Sequence, residues 1–362
     1  MKEFFKIPIL LLVFSQLVSC NDDDIPNPSI TIMDDKIECE NCNEFGSIIE
    51  ADGNDLVVAG DKTVYIFEWQ NQELNLTKTI DFDIRSGIWD VLIHDGLLIF
   101  SHPDADGTGI VYIYEKTIND WDKIQELTIG RKQDNFGNAI DMSANYLVIG
   151  ADAPYIDAYN NWENKDEGRI YIYKKTGSEW TLDKEFKSQN SYGNDRFGSS
   201  IAIQGNYILA GSCCVPTHVY HFDGEWKFLR TEPINNGKII HHDNNFLATN
   251  TMSYDSAIFA FTLKEDGDFE YSTISFDYSE HERSDHGEIL DIYETKSIFS
   301  LEMENYCFTM EYLNNEWSNI TKTDPEDNEC WVMLGIELTE DKIYMGGESK
   351  EGWKDIVYIL NY

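Results

Sequence analysis

The sequence predicts an all-β fold built from seven copies of one four-stranded antiparallel unit, each copy packed on the next. Three observations predict it. First, the stretch from Asp134 reads DNFGNAIDMSANYLVIGADAP and, after a loop, GRIYIYKKTGSEWTLDKEF, and it recurs from Asn194 as NDRFGSSIAIQGNYILAGS followed by THVYHFDGEWKFLR. Second, one triplet, aromatic-x-aromatic or aliphatic, returns along the chain as Tyr65-Ile66-Phe67, Tyr112-Ile113-Tyr114, Tyr171-Ile172-Tyr173, Tyr220-His221-Phe222, Phe259-Ala260-Phe261, Phe308-Thr309-Met310 and Tyr358-Ile359-Leu360. Third, polar turns such as Asp52-Gly53-Asn54-Asp55, Asp95-Gly96 and Gln204-Gly205-Asn206 separate short alternating runs, as hairpins require. A repeat of roughly 47 residues lies in the range of architectures whose sheets stack as blades around an axis. The expectation is a seven-bladed β-propeller over residues 30–362.

Each strand of the unit has its own signature. The first opens on Phe-Gly at Phe45-Gly46, Phe136-Gly137 and Phe197-Gly198, whereas the other units keep only Gly87, Gly237, Gly287 and Gly335, where the missing side chain permits close backbone approach. The second strand is a short apolar run: Leu56 to Gly60, Leu97 to Ser101, Tyr146 to Gly150, Tyr207 to Gly211, Phe246 to Asn250, Ser297 to Glu302 and Ile343 to Gly347. The triplet is the third strand. Alternation sends its outer residues to one face, where flat side chains fill the gap between neighbouring sheets. The fourth strands are marked by Leu74, Trp121, Trp180, Trp226, Phe269 and Trp317. The seventh unit ends at its third strand. A strand-like piece from Ile30-Thr31-Ile32 up to Lys36 is left over at the start, and pairing the two would close the ring and remove exposed edges.

Composition bounds the function. The 362 residues carry 66 Asp+Glu against 27 Lys+Arg, a formal charge of −39, yet 42% are hydrophobic and 13% aromatic, so this is a folded chain with an acidic surface. Such a field repels phosphate backbones, which excludes nucleic acid as a partner and leaves cations and neutral ligands open. At the N-terminus, Lys2 and Lys6 precede the apolar run Ile7 to Phe14, which is too short to span a bilayer and is built as a signal peptide. It ends in Leu17-Val18-Ser19-Cys20, which resembles a bacterial lipobox, and that resemblance implies cleavage after residue 19 and a diacylglycerol on Cys20. Asn21-Asp22-Asp23-Asp24 is similar to the acidic signal with which some Gram-negative groups place lipoproteins on the outer face of the outer membrane. Residues 20–29, with Pro26 and Pro28, read as a polar tether. The expected location is the cell surface, with membrane contact only through the lipid.

Six further cysteines, Cys39, Cys42, Cys213, Cys214, Cys307 and Cys330, are free to form disulfides in an exported chain, and their spacing leaves the connectivity open. With no second Cys-x-x-Cys and no nearby His pair, structural bridges or buried thiols are expected rather than metal binding.

The unit resembles the FG-GAP repeat of integrin-α-like β-propellers, in which Phe-Gly opens the inner strand and Gly-Ala-Pro follows the second. Gly150-Ala151-Asp152-Ala153-Pro154 is a loosened form of that tripeptide, and units five to seven match by spacing. In a propeller, the loops from second to third and from fourth to first strands share one end, conventionally the ligand face. That end is expected to collect His102, Asp104 and Asp106, the insertion Asp152 to Glu167 with Tyr155, Tyr159 and Trp162, and Tyr192, His281, His286 and Trp353. Flat rings beside carboxylates suit stacking on sugars or Tyr- and Trp-dominated protein contacts. Asp104-Ala105-Asp106-Gly107 resembles the start of a calcium loop but is shorter than the integrin-like motif; calcium through Asp104 and Asp106 is the one cofactor suggested.

Of eight histidines, none lies in an HExxH or nucleophile-elbow context. His241 and His242 sit on a predicted inner strand, where one would line the central channel or be a satisfied core residue. Asp255-Ser256-Ala257 is similar to a periplasmic O-glycosylation site. The functional expectation is a non-catalytic surface module that binds a glycan or a protein. The alternative is a carbohydrate-active enzyme, either a glycoside hydrolase or a polysaccharide lyase using His281 and His286 beside Tyr278 as acid and base.

Overall fold

The computed structural model describes residues 29–82, 87–103, 108–118, 120–129, 134–152, 168–189, 196–212, 216–234, 238–242, 244–249, 257–264, 267–275, 290–293, 296–300, 307–313, 316–323, 330–349 and 354–361. In them the regular elements are strands. Two lead the chain, β1 (Ser29–Ile32) and β2 (Lys36–Glu40). Next come β3 (Ile48–Asp52), β4 (Asp55–Ala59), β5 (Thr63–Gln70) and β6 (Glu73–Asp81), then β7 (Val91–His94), β8 (Leu97–His102), β9 (Ile110–Lys116) and β10 (Trp121–Leu127). The clearest repeat gives β11 (Phe136–Met142), β12 (Tyr146–Ala151), β13 (Arg169–Thr176) and β14 (Glu179–Lys187), and its second copy gives β15 (Ser200–Gln204), β16 (Tyr207–Gly211), β17 (Thr217–Phe222) and β18 (Trp226–Glu232). The remainder is β19 (Ile239–His242), β20 (Asn245–Thr249), β21 (Ala257–Leu263), β22 (Phe269–Ser275), β23 (Leu290–Tyr293), β24 (Lys296–Ser300), β25 (Cys307–Leu313), β26 (Glu316–Thr323), β27 (Cys330–Leu338), β28 (Lys342–Ser349) and β29 (Lys354–Asn361).

Among the described residues these strands form antiparallel sheets. Six are four-stranded meanders, β3 to β6, β7 to β10, β11 to β14, β15 to β18, β19 to β22 and β23 to β26. Another has five strands in the order β1-β2-β29-β28-β27. Every aromatic triplet lies in a third strand, namely β5, β9, β13, β17, β21, β25 and β29. In the first four meanders a bulge interrupts the pairing of third and fourth strands, between Ile66 and Phe67, Lys123 and Gln125, Ile172 and Tyr173, and Val219 and Tyr220. An extra residue there increases the local twist of the outer edge.

The N-terminal piece departs in detail from its sequence reading. The strand beside β29 is β2, with Lys36 opposite Tyr358 and Glu40 opposite Lys354, and the Ile30–Ile32 segment is one place further out, pairing β2 from Ser29 to Ile32. The alternation Lys-Ile-Glu-Cys-Glu explains this: Ile37 and Cys39 are fully buried and face the core, whereas β1 covers an outer edge with half-exposed residues. Cys39 is disulfide-bonded to Cys42, with their Cα atoms 5.7 Å apart, which ties the end of β2 to the turn before Phe45.

The core lies between sheets. Ile99, Val111 and Ile113 of one meander meet Phe136, Tyr171, Tyr173 and Trp180 of the next, and Val148, Ile170 and Ile172 meet Phe197, Ile208 and Tyr220 in turn. The same arrangement joins the five-stranded sheet to the first meander, where Ile37, Tyr344, Val357 and Ile359 pack on Phe45, Val58 and Phe67. Each such buried aliphatic or phenyl group contributes about 1.5–3 kcal/mol relative to exposure. Inner strands touch in sequence: β3 lies against β7, β7 against β11, β11 against β15, β15 against β19, β19 against β23, β23 against β27, and β27 against β3.

The Phe-Gly dipeptide is the key of these seams. In each copy the residue before Phe and the Gly after it both have positive φ: Glu44 and Gly46 at 58° and 90°, Asn135 and Gly137 at 51° and 98°, Arg196 and Gly198 at 50° and 86°. That turn drops the phenyl ring, fully buried at Phe45, Phe136 and Phe197, under the preceding sheet. The glycine then sits on neighbouring backbone, so that a Cβ at Gly198 would lie 2.3 Å from the Arg169 carbonyl and one at Gly346 would lie 2.1 Å from that of Gly46. Only glycine fits such an approach.

Candidate functional site: the loop end and the inner strands below it

Hydrogen bonds among loops show which connections share an end. The Asp61 amide donates to the Asn43 carbonyl at 2.9 Å, and the Ile88 amide donates to that of Asp61 at 2.8 Å, so the loops before β3, between β4 and β5, and between β6 and β7 lie together. One sheet on, the Trp89 amide reaches the Ser101 carbonyl at 3.1 Å. The loop between β10 and β11 meets those between β12 and β13 and between β14 and β15 at Asp152.

Asp152 is the buried anchor of this end. It has no solvent exposure; its Oδ1 accepts the Asn135 side-chain amide at 3.0 Å, and its Oδ2 accepts Arg196 Nε at 2.9 Å and Nη2 at 2.7 Å. A two-pronged guanidinium contact fixes direction as well as charge. Close by, Tyr171 donates its hydroxyl to Asp134 Oδ2 at 2.9 Å. The other stem of the insertion is equally fixed, because a Cβ at Gly168 would lie 2.0 Å from the Phe197 carbonyl and Arg169 pairs with Glu185. Asp152 and Gly168, the described residues on either side of the insertion, are therefore both held in place.

The histidines divide. His102 ends β8 opposite Ile110 and is 1% exposed, so it lies beneath the loop end instead of on it. The strand runs one residue further than its apolar stretch, carrying the imidazole inside. His218 is fully buried, accepts the Gln189 amide at Nε2 (3.2 Å) and packs on Phe197 and Phe228, while His221, three residues on, packs on Tyr207. The sequence reading missed Trp89: a large apolar side chain that is 56% exposed, held at the loop end by its backbone bond to Ser101. The signal available was a tryptophan with no fourth-strand position to fill.

Below the loops the inner strands carry carboxylates. Asp90 Oδ2 accepts the Ile140 amide at 2.7 Å, Asp141 Oδ2 the Ile203 amide at 2.6 Å, Asp291 Oδ2 the Leu338 amide at 2.5 Å, and Glu337 Oε1 the Ala51 amide at 3.0 Å. Each bond crosses from one sheet to the next. Ser200 does the same for the Ile239 amide at 2.7 Å. His241 Nε2 lies 2.9 Å from Asp141 Oδ2, which identifies it as an inner-strand histidine with a carboxylate partner. Burial pushes the Asp90 carboxyl up to about 6, against the opposing pull of the Ile140 and Val91 amides and of Lys238. It raises Glu50 and Glu337 well above the usual carboxylate range, and Asp291 above it, with neighbouring carboxylates adding to the effect at Glu50 and Glu337.

Of the residues singled out in the sequence, Cys20, Asp104, Asp106, Tyr155, Tyr159, Trp162, Tyr192, His281, His286 and Trp353 lie outside the described residues, as do Cys213, Cys214 and Ser256.

No family model matches the sequence, and no curated protein does. Solved structures match over most of the chain. The β-propeller domain of Cps50 (Swd1) from Myceliophteria thermophila aligns with TM-score 0.58 and 9% identity, covering 87% of this chain and 97% of that one. The WD40 β-propeller domain of Doa1 aligns with TM-score 0.56 and 12% identity over 88% and 92%. BamB from Moraxella catarrhalis aligns with TM-score 0.51 and 11% identity over 87% and 83%. At such identities the likeness carries the fold alone. The chain is an all-β protein of four-stranded antiparallel sheets with the β-propeller fold.

Proposed function

We propose that the protein is an exported, lipid-anchored, seven-bladed β-propeller of the FG-GAP type that binds a surface glycan or protein through its loop end. The observation that carries the binding reading is Trp89, a tryptophan 56% exposed on a loop end whose other parts are clamped by buried bonds at Asp152. An exposed aromatic on a fixed platform costs little ordering entropy on binding and supplies a large contact area. The insertion with Tyr155, Tyr159 and Trp162 springs from the same platform, and we assign it to the same surface.

Closure of the ring is supported by the cyclic order of inner-strand contacts and by the pairing of β2 with β29. Export and anchoring rest on the basic and apolar N-terminal run and on Leu17-Val18-Ser19-Cys20. On this reading Cys20 carries the lipid, residues 21–28 hold the ring off the membrane, since Ser29 already belongs to β1, and the acidic surface keeps anionic polymers away.

The test of the binding reading is a glycan array and a cell-surface pull-down with the wild-type protein, with Trp89→Ala, and with Tyr155, Tyr159 and Trp162 all replaced by alanine. Loss of signal in both variants, with thermal unfolding unchanged, is the expected outcome. Undiminished binding in both would overturn the site. New reducing ends or unsaturated products during the incubation would replace the binding reading with a catalytic one. Cys20→Ala should release the protein into the soluble fraction.

A further inference from the structure

At the loop end over the first two meanders, three short connections are drawn together by their backbones. The loops before β3, between β4 and β5, and between β6 and β7 are joined through the Asn43 carbonyl, the Asp61 amide and carbonyl, and the Ile88 amide. Two glycines permit that closeness. A Cβ at Gly60 would lie 2.6 Å from the Asn43 carbonyl oxygen, and one at Gly87 would lie 2.8 Å from Asp61 Oδ1 and 3.0 Å from the Asp61 carbonyl oxygen. The Asp61 carboxylate therefore occupies the place that a side chain at residue 87 would take. Ile88 is turned inward, with 8% exposure, and Trp89 outward. Alternation of this kind puts Gly87 and Trp89 on one side of the loop, about 7 Å apart, and brings the Asp61 carboxylate beside the indole.

The polar groups here are not engaged within the protein. Among the described residues, the Asp61 carboxylate, the Asn43 carboxamide and the Trp89 indole N–H make no hydrogen bond, although the backbone of each is held.

The surroundings decide between a protein and a sugar. Among the described residues, the other exposed large apolar side chains lie elsewhere, Ile118 on the turn after β9 and Ile124, Leu182, Phe228, Leu229 and Tyr271 on outer strands, so they give Trp89 no apolar rim. On its own loops it is accompanied by Asp61 and by the exposed Asn43, Glu44 and Lys62. The centres of protein interfaces are depleted in Asp, Glu and Lys and surround their aromatic anchors with packed contacts that exclude water. A sugar ring asks for the opposite, one flat aromatic face for its C–H groups and a few placed acceptors and donors for its hydroxyls. A carboxylate is the strongest acceptor for that purpose. The formal charge of −39 selects against uronates and sulfated sugars.

We propose that Trp89, Asp61 and Asn43 form a subsite for a neutral sugar residue, with the indole stacked on the ring, the Asp61 carboxylate accepting from hydroxyls and the Asn43 carboxamide bonding another. The inference rests on the loop-end binding reading and narrows it from a glycan or a protein to a neutral glycan. All three backbones are fixed before the sugar arrives, so binding requires little ordering of the protein.

The test is affinity electrophoresis of the full chain through soluble glucan, mannan, xylan and galactan, and through polygalacturonate and a sulfated galactan. Wild type should be retarded by at least one neutral polymer and by neither acidic one. Trp89→Ala should abolish the retardation, and Asp61→Ala should weaken binding about tenfold or more, the effect of losing a hydrogen bond to a charged group. Gly87→Ala removes no contacting side chain but displaces the Asp61 carboxylate, and should weaken binding in the same way with an unchanged circular dichroism spectrum. Retardation by acidic polymers alone, or by neutral ones undiminished in Asp61→Ala, would overturn the subsite, while its loss in Trp89→Ala would still keep the loop-end reading. Capture of surface proteins with no retardation by any polysaccharide would also overturn the subsite and leave that reading standing. Absence of both kinds of binding would overturn the two together.

Discussion

Gly198→Ala is expected to be among the most damaging single-methyl additions in this chain, and its cost can be worked from two separate terms. Gly198 has φ of +86°, and a left-handed backbone costs an L-residue about 1–2 kcal/mol. In addition, the new Cβ would lie 2.3 Å from the Arg169 carbonyl oxygen and 3.3 Å from the Ala151 nitrogen, both backbone atoms of the preceding sheet. The seam must open by about 1 Å, and forced overpacking of this kind costs about 1–3 kcal/mol. The sum, about 2–5 kcal/mol, is a large share of the 5–15 kcal/mol that holds an ordinary domain together. Gly177→Ala supplies the control, since Gly177 also has positive φ (67°) but nothing within 4 Å of the added methyl. Urea unfolding should show a midpoint that falls much further for Gly198→Ala than for Gly177→Ala, with an unchanged slope. Equal losses would refute the claim that Phe-Gly turns key one sheet onto the next.

Three further outcomes are expected. Arg196→Ala strands the Asp152 carboxylate, which has no solvent exposure, and should cost about 2–3 kcal/mol; replacing both residues with apolar ones should recover much of it in urea unfolding. Asp90→Asn should flatten the pH dependence of stability on the acid side, because a carboxyl raised to about 6 contributes stability that is full below the ordinary Asp value and is lost as pH rises through about 6; an unaltered profile would contradict the burial argument. Reducing the Cys39–Cys42 bridge, which joins residues three apart in sequence, should lower stability by only about 2 kcal/mol in thermal unfolding with and without reductant, since a short closed loop removes little unfolded-state entropy.

Much of the fold was legible because its strands carry repeating side chains. The triplets mark third strands because at Tyr65–Phe67, Tyr112–Tyr114 and Tyr171–Tyr173 both faces are buried between sheets, and the Trp at the head of a fourth strand is buried at Trp121, Trp180 and Trp226. What the repeat could not show was anything held by backbone or by polar pairing. The strand beside β29 is Lys36–Glu40 and not the Ile30–Ile32 piece, and its alternate charges leave only Ile37 and Cys39 to mark it in sequence. The inner-strand acids were visible as Glu50, Asp141, Asp291 and Glu337, each following an aliphatic residue, yet a solvated acid looks the same in sequence. Their role emerges only when the next sheet brings an amide to within hydrogen-bond distance. His102 follows a second strand read as Leu97 to Ser101 and so falls to the loop end in sequence, but β8 runs on to the histidine and buries it. At the loop end, the sequence drew attention to long insertions with tyrosine, and the short connection that displays Trp89 offered no comparable length signal.

The most direct test of the account is binding at the loop end, measured with folded protein on a glycan array and against isolated cell surfaces. The account predicts a signal that disappears both with Trp89→Ala and with the joint alanine replacement of Tyr155, Tyr159 and Trp162, while unfolding curves stay superimposed on wild type. Binding that survives both sets of changes, or that tracks the opposite end of the sheets at Asp52 and Asp95, would contradict it.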